Sequence, residues 1–211
     1  MPEYKVKQGD CIESIAQKFG HLWQTLWDDP ENADLRKKRK EPNVLLSGDI
    51  VFVPEKRSKD ESGQTEERHR FRIKSATSML KMVLIDENDE PRSNENYILI
   101  VDDEIITGTT KADGSLKHSI KPNAKNGKLI VGEEQDEYVL DLGYIDPITE
   151  ISGVQSRLNN LGFDCGEENG KLNTKTKDAI QDFQFQYGLE VEETGKIDEK
   201  TRAKLKEIYK F

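Results

Sequence analysis

Three hydrophobic periods follow one another along the chain, and each predicts a different kind of element. Residues 3–54 open with a strand, YKVK, and the turn Gln8-Gly9-Asp10. Asp10 suits the N-cap of a helix, CIESIAQKFG, that turns Ile12, Ile15, Ala16 and Phe19 to one side and stops at Gly20. A second helix, LWQTLWD, ends before the Pro30 turn; an irregular basic stretch follows, and SGDIVFVP supplies a closing strand. Residues 55–69, EKRSKDESGQTEERH, have almost no apolar side chain to bury and predict a flexible linker. From 70 to 146 the period falls to two, in FRIKS, KMVLID, YILIVD, EIITGTT, SLKHSI, KLIVG and EYVLDL. Turn signals such as Asp113-Gly114 and Asn126-Gly127 separate these segments. Short strands joined by hairpin turns predict an antiparallel β-sandwich. From 147 to 211 helical spacing returns. The fold class expected is α+β and multidomain, in units 1–54, 70–146 and 147–211 with the linker at 55–69.

The last unit contains a repeat. NGKLNTKTKDAI, Asn169 to Ile180, reappears 25 positions later as TGKIDEKTRAKL, Thr194 to Leu205. Each copy reads Gly, Lys, an aliphatic residue, Asn or Asp, two free positions, then Thr. That order suits a helix entrance. Leu172 and Ile197 are placed to pack inward, and Asn173 and Asp198 to cap free backbone N–H groups. Gly170 and Gly195 allow the tight turn ahead of each cap. Behind the caps Ala179, Ile180 and Phe183 recur at helical spacing, as do Ala203, Leu205 and Ile208. Ahead of both lies ISGVQSRLNNLGFDCG, with Ile151, Val154, Leu158 and Leu161 on one face and Gly162 as its stop. Three short helices around one small core are expected.

The residues Val154-Gln155, Leu158, Leu161-Gly162-Phe163, Gly170, Thr176, Ala179, Phe183-Gln184, Gly188-Leu189, Thr194-Gly195, Asp198 and Thr201 carry a resemblance to a known family. The segment resembles the three-helix peptidoglycan-binding domain appended to bacterial cell-wall hydrolases, with Asn173 where that family usually has a second Gly. In the first unit Tyr4, Val6, Gly9-Asp10, Ile15-Ala16, Phe19, Trp23, Leu26, Asn32, Leu45, Gly48-Asp49, Ile50, Val53 and Pro54 resemble a LysM domain of βααβ form. Cys11 stands where a Thr is usual, and RKKRKEP, Arg36 to Pro42, lengthens a connection. That resemblance implies an N-acetylglucosamine groove between Gly9, Asp10, Cys11 and Ile12 on one side and Leu45, Leu46 and Ser47 on the other, bordered by the basic loop. In the middle unit Gly108 to Leu116, GTTKADGSL, resembles a strand–turn–strand of transthyretin-like or carboxypeptidase-regulatory-like domains. It implies no chemistry of its own.

Charge changes this picture little. Charged residues make up 35% and the net charge is −9, which argues against general binding to nucleic acid or anionic membranes. Within that acidic chain Lys37, Lys38, Arg39 and Lys40 form a basic run: a solvated loop, or a contact for an acidic partner surface. Trp23 and Trp27, four apart on one helix face, suit either sugar stacking or the plugging of a small core. Cys11 and Cys165 lie in different units and are expected as reduced thiols. His21, His69 and His118 are isolated, and His118 is expected exposed on a strand. No zinc spacing, nucleophile elbow, paired-carboxylate cleft or phosphate loop emerges. The expectation is a non-enzyme without metal or cofactor.

The opening MPEYKVKQGD does not resemble a signal peptide, and no apolar run approaches membrane-spanning length. Synthesis in the cytoplasm is expected, with delivery to the periplasm by a contractile secretion machine. The combination of units resembles small proteins associated with type VI secretion spike proteins. The expected function is a non-catalytic peptidoglycan-binding protein, an accessory or adaptor of such a spike. The alternative is a stand-alone wall-targeting module that positions a separate hydrolase.

Overall fold

The computed structural model describes residues 3–56, 62–70 and 77–209. In the N-terminal unit strand β1 (Glu3–Lys5) pairs antiparallel with β2 (Ile50–Phe52), Tyr4 opposite Val51. Between them run α1 (Ile12–Phe19), α2 (Trp23–Trp27), a 3-10 turn at Pro30–Asn32, and α3 (Ala33–Arg39). Ile12, Ile15, Ala16, Leu26 and Val51 meet in a closed core, and Trp23 and Trp27 pack partly buried against it. Core plugging is therefore the reading of the tryptophan pair that the geometry shows. The Asn32 side chain ties the turn to the sheet: it donates to the Leu26 and Phe52 carbonyls at 2.8 and 2.9 Å and accepts the Phe52 N–H at 2.8 Å.

Two expectations for this unit are corrected. The basic stretch is not irregular: it is α3, whose single apolar anchor, Leu35, gives no periodic signal among charged neighbours. Asp10 is not the N-cap of α1. Cys11 caps it, its Sγ accepting the Ser14 N–H at 3.4 Å while Ser14 Oγ accepts the Cys11 N–H at 3.0 Å. The thiol thus occupies the acceptor position of a capping box. Asp10 instead accepts from the Tyr4 hydroxyl at 2.8 Å and the Lys7 N–H at 3.0 Å.

The middle unit holds β3 (Ser78–Val83), β4 (Asn96–Val101), β5 (Glu104–Thr109), β6 (Ser115–Ile120), β7 (Asn126–Val131) and β8 (Asp136–Asp141). β3 pairs with β6, and β5, β4, β7 and β8 form a four-stranded antiparallel sheet in that order. Alternate residues, among them Tyr97, Leu99, Val101, Leu116, Leu129 and Val131, share one core. Six of the expected strands are found in place; FRIKS lies outside the described residues. His118 is not exposed but half-buried, its Nε2 2.7 Å from the Tyr97 hydroxyl.

The C-terminal unit is three helices, α4 (Ile151–Asn160), α5 (Thr174–Gln186) and α6 (Glu199–Ile208), around Val154, Leu158, Ile180, Phe183 and Leu205. Ile197 packs against this core as expected, but Leu172 and Ala203 are exposed. Between the first two units, residues 62–70 are exposed throughout. Limited trypsin digestion is expected to cut first within 55–69, where Lys56 and Arg68 are exposed. A first cut inside a helix or strand on the resulting fragment map would refute this.

Candidate functional site

In the C-terminal unit the repeated sequence becomes a repeated device. Gln155 on α4 is fully buried. Its side-chain oxygen accepts the Gly170 N–H at 2.9 Å, and its Nε2 donates to the Lys171 carbonyl at 3.1 Å and to Thr176 Oγ1 at 2.9 Å. Gln184 on α5 does the same one copy later, with Gly195 N–H at 2.9 Å, the Lys196 carbonyl at 2.9 Å and Thr201 Oγ1 at 2.8 Å. Each Gly-Lys loop is thus clasped by an amide from the preceding helix. Gly170 and Gly195 sit at φ 71° and 75°, a region that β-carbon residues rarely adopt. The sequence presents these glutamines at matching places, beside Val154 and Phe183, but nothing in their local pattern states a role.

Both expected caps are found. Asn173 Oδ1 accepts the Thr176 N–H at 2.9 Å, and Asp198 Oδ1 accepts the Thr201 N–H at 2.7 Å. The Thr201 hydroxyl, followed by that N–H, holds the Asp198 carboxyl below its ordinary pKa. Asn173→Ala and Asp198→Ala are each expected to lose about 0.5–2 kcal/mol. A depressed carboxyl pKa gives stability that is present above the unfolded value and lost as pH falls through the folded one. Denaturant titrations at neutral pH and near pH 3 should therefore show the Asp198→Ala deficit shrinking in acid and the Asn173→Ala deficit persisting. Equal pH dependence of the two would refute the assignment.

Two arginines join the segment before α4 to the helices. Arg157, buried, donates to the Asp146 and Gly153 carbonyls at 2.8 and 2.6 Å and lies 5.5 Å from the Tyr209 ring centre. Burial pushes its pKa down. Arg202 donates to the Ile148 carbonyl.

In the N-terminal unit the first of the two segments expected to flank a glycan groove meets the end of the bordering basic loop, with the Ile12 N–H on the Pro42 carbonyl at 3.0 Å. Ile12 and Leu45, however, have their side chains in the core. Leu46 is half-buried, its N–H bound by Asp49 at 3.0 Å, and Ser47 is exposed. Gly9, Asp10 and Cys11 meet the middle unit. The Lys125 ammonium donates to the Gly9 carbonyl and stands 3.7 Å from Asp10. Cys11 Sγ lies 3.9 Å from the Pro122 carbonyl, and burial raises its thiol pKa. Gln8 reaches the Tyr144 carbonyl at 3.4 Å. Gly143 comes so near that a Cβ placed on it would stand 3.1 Å from the Gly9 oxygen. Beside this contact opens a cavity of about 300 Å³ lined by Tyr4, Asp10, Ser14, Lys18, Asn123 and Lys125, among others.

The basic run divides. Arg39 is buried and grips Asp49 through two bonds, of 2.6 and 2.9 Å. Lys37, Lys38 and Lys40 are exposed; Lys37 stands 3.3 Å from Asp34 and Lys38 3.2 Å from Asp49. Only those three lysines face solvent for a partner. Among the described residues no group of three His, Cys, Asp or Glu side chains is placed to hold a metal, and no helix there is long and apolar enough to cross a membrane.

A three-helix module whose two loops are held by one repeated clasp is the class of unit that closes the chain. Residues 143–205 match the model of the family described as a putative peptidoglycan binding domain, which supports a peptidoglycan-binding helical domain over this segment. No curated protein and no solved structure matches the chain.

Proposed function

We propose that the chain is a non-catalytic peptidoglycan-binding protein in which the C-terminal helical domain makes the glycan contact. The match over residues 143–205 carries this reading. It covers the helices whose repeated Gly, Asn or Asp, and Thr positions all have a structural part. Co-sedimentation of the full chain with purified, insoluble peptidoglycan tests it. Retention on the pellet, reduced by soluble glycan fragments, is expected; full recovery in the supernatant refutes it.

The finer part of the proposal concerns the other two units. The N-terminal unit is LysM-like but acts as an assembly module, with the transthyretin-like middle unit as spacer, in an adaptor of a contractile, type VI-like secretion spike. Delivery to the periplasm by that machine would bring the C-terminal domain to the wall. What supports this is that Gly9, Asp10 and Cys11 are engaged by Pro122 and Lys125 of the middle unit, so that these residues of the expected groove already serve a contact between units. An acidic surface on a spike protein would meet Lys37, Lys38 and Lys40. Reversing Lys37 and Lys40 to Glu is expected to slow that association and flatten its salt dependence. Tight, salt-insensitive binding of chito-oligomers, unchanged by the reversal, would instead favour the wall-targeting role for this unit.

A further inference from the structure

The four-stranded sheet has one face on the core and one face open. On a solvated face strand positions are expected to be polar; here the outer positions Asn96, Thr109, Asn126 and Asp141 are, but the two middle rows carry five aliphatic residues, Ile98, Ile100, Ile105, Ile130 and Val139. Ile100 stands opposite Ile105 on one side and Lys128 on the other, and Lys128 stands opposite Val139. The next row crosses through Thr107, Ile98, Ile130 and Glu137. Their sequence neighbours Leu99, Val101, Leu129 and Val131 point the other way, into the core. Ile105 and Val139, at opposite edges of the sheet, are 70% and 81% exposed, and Ile98 between them is 41% exposed. Aliphatic side chains left open in a contiguous strip from one edge of a sheet to the other mark an association surface.

We propose that this face joins two copies of the chain. Its charge argues for that occupant. The only ionic groups in the two rows, Lys128 and Glu137, pair with each other at 2.6 Å, so the patch is neutral in a chain of net charge −9. A two-fold contact sets a patch against itself and requires self-complementarity. Aliphatic rows satisfy it, and Lys128 of each copy can meet Glu137 of the other without leaving a charge alone. Two sheets packed face to face, about 10 Å apart, bury such rows against each other. A dimer would also carry two C-terminal helical domains, and a polymer offering repeated sites would hold it more tightly than a monomer.

Sedimentation velocity of the full chain, from low to high micromolar concentration, tests the proposal. The expected result is a concentration-dependent shift to the mass of two chains. Val139→Asp and Ile105→Asp each change a largely exposed side chain, so the fold should persist by circular dichroism while the dimer dissociation constant rises at least tenfold. Lys128→Glu alone should weaken the dimer, and adding Glu137→Lys should restore it. A chain that stays monomeric at every concentration overturns the proposal and gives the face to another partner. So does a dimer indifferent to both aspartate variants.

Discussion

Asp49→Ala is expected to destabilise the N-terminal unit by on the order of 3–5 kcal/mol, the cost of leaving one buried charge without its partner. The side chains of Asp49 and Arg39 are each only 3% exposed. Asp49 accepts both guanidinium bonds, of 2.6 and 2.9 Å, and also the Leu46 N–H at 3.0 Å. Removing it leaves the buried Arg39 guanidinium with only the half-exposed Glu150 carboxylate, 3.9 Å away, and frees the loop that carries Leu45 and Leu46. Burial alone would raise the Asp49 pKa, but the Arg39 bonds, the Leu46 N–H and Lys38 outweigh it and hold the carboxyl below its ordinary range. Its contribution is thus complete above the ordinary carboxylate value near 3.8 and is lost as pH falls below it. Replacing both partners by apolar residues, Arg39→Met with Asp49→Leu, should cost much less than either single change, because no charge is left buried. Urea denaturation followed by Trp23 and Trp27 fluorescence measures all three. A single Asp49→Ala variant as stable as the parent would show that the pair is not what holds α3 to the sheet.

The same pair shows where sequence reading reached its limit. Gly48-Asp49 and the basic run were both visible, but the run read as four equivalent charges. Helix geometry separates them, turning Arg39 inward while Lys37 and Lys38 stay at the surface. Periodic segments were legible because burial follows the period: β4 alternates buried and open positions, and α5 buries Ala179, Ile180 and Phe183. Caps were legible where Asn173 and Asp198 precede a helix by the usual spacing, and illegible at Cys11, where a thiol took the acceptor role beside the better acceptor Asp10. Contacts between units could not be read at all. Lys125 lies in the β6–β7 connection with no local pattern to mark it, and its partners Gly9 and Asp10 are far away in sequence.

Gln184→Ala and Gln155→Ala are expected to cost on the order of 3 kcal/mol each, and to remove peptidoglycan binding in proportion to the domain unfolded. Each glutamine satisfies a Gly N–H, a Lys carbonyl and a Thr hydroxyl at once, in a site closed to solvent. Truncation leaves those groups without their partner and opens a void beside the core. The loss is greater than for the caps, because Asn173 and Asp198 lie nearer the surface, where water can replace them. Gln184→Glu separates hydrogen bonding from volume. A carboxylate there would point an oxygen at the Lys196 carbonyl and the Thr201 hydroxyl, so burial and the facing carbonyl would raise its pKa. The variant should be least stable at neutral pH and regain stability as pH falls and the acid protonates. That direction is opposite to the one predicted at Asp49. Denaturant titrations across that range, with peptidoglycan co-sedimentation of the same samples, supply both readouts. If Gln184→Glu matches the parent at neutral pH, the clasp does not hold the entrance to α6, and the repeat needs another explanation.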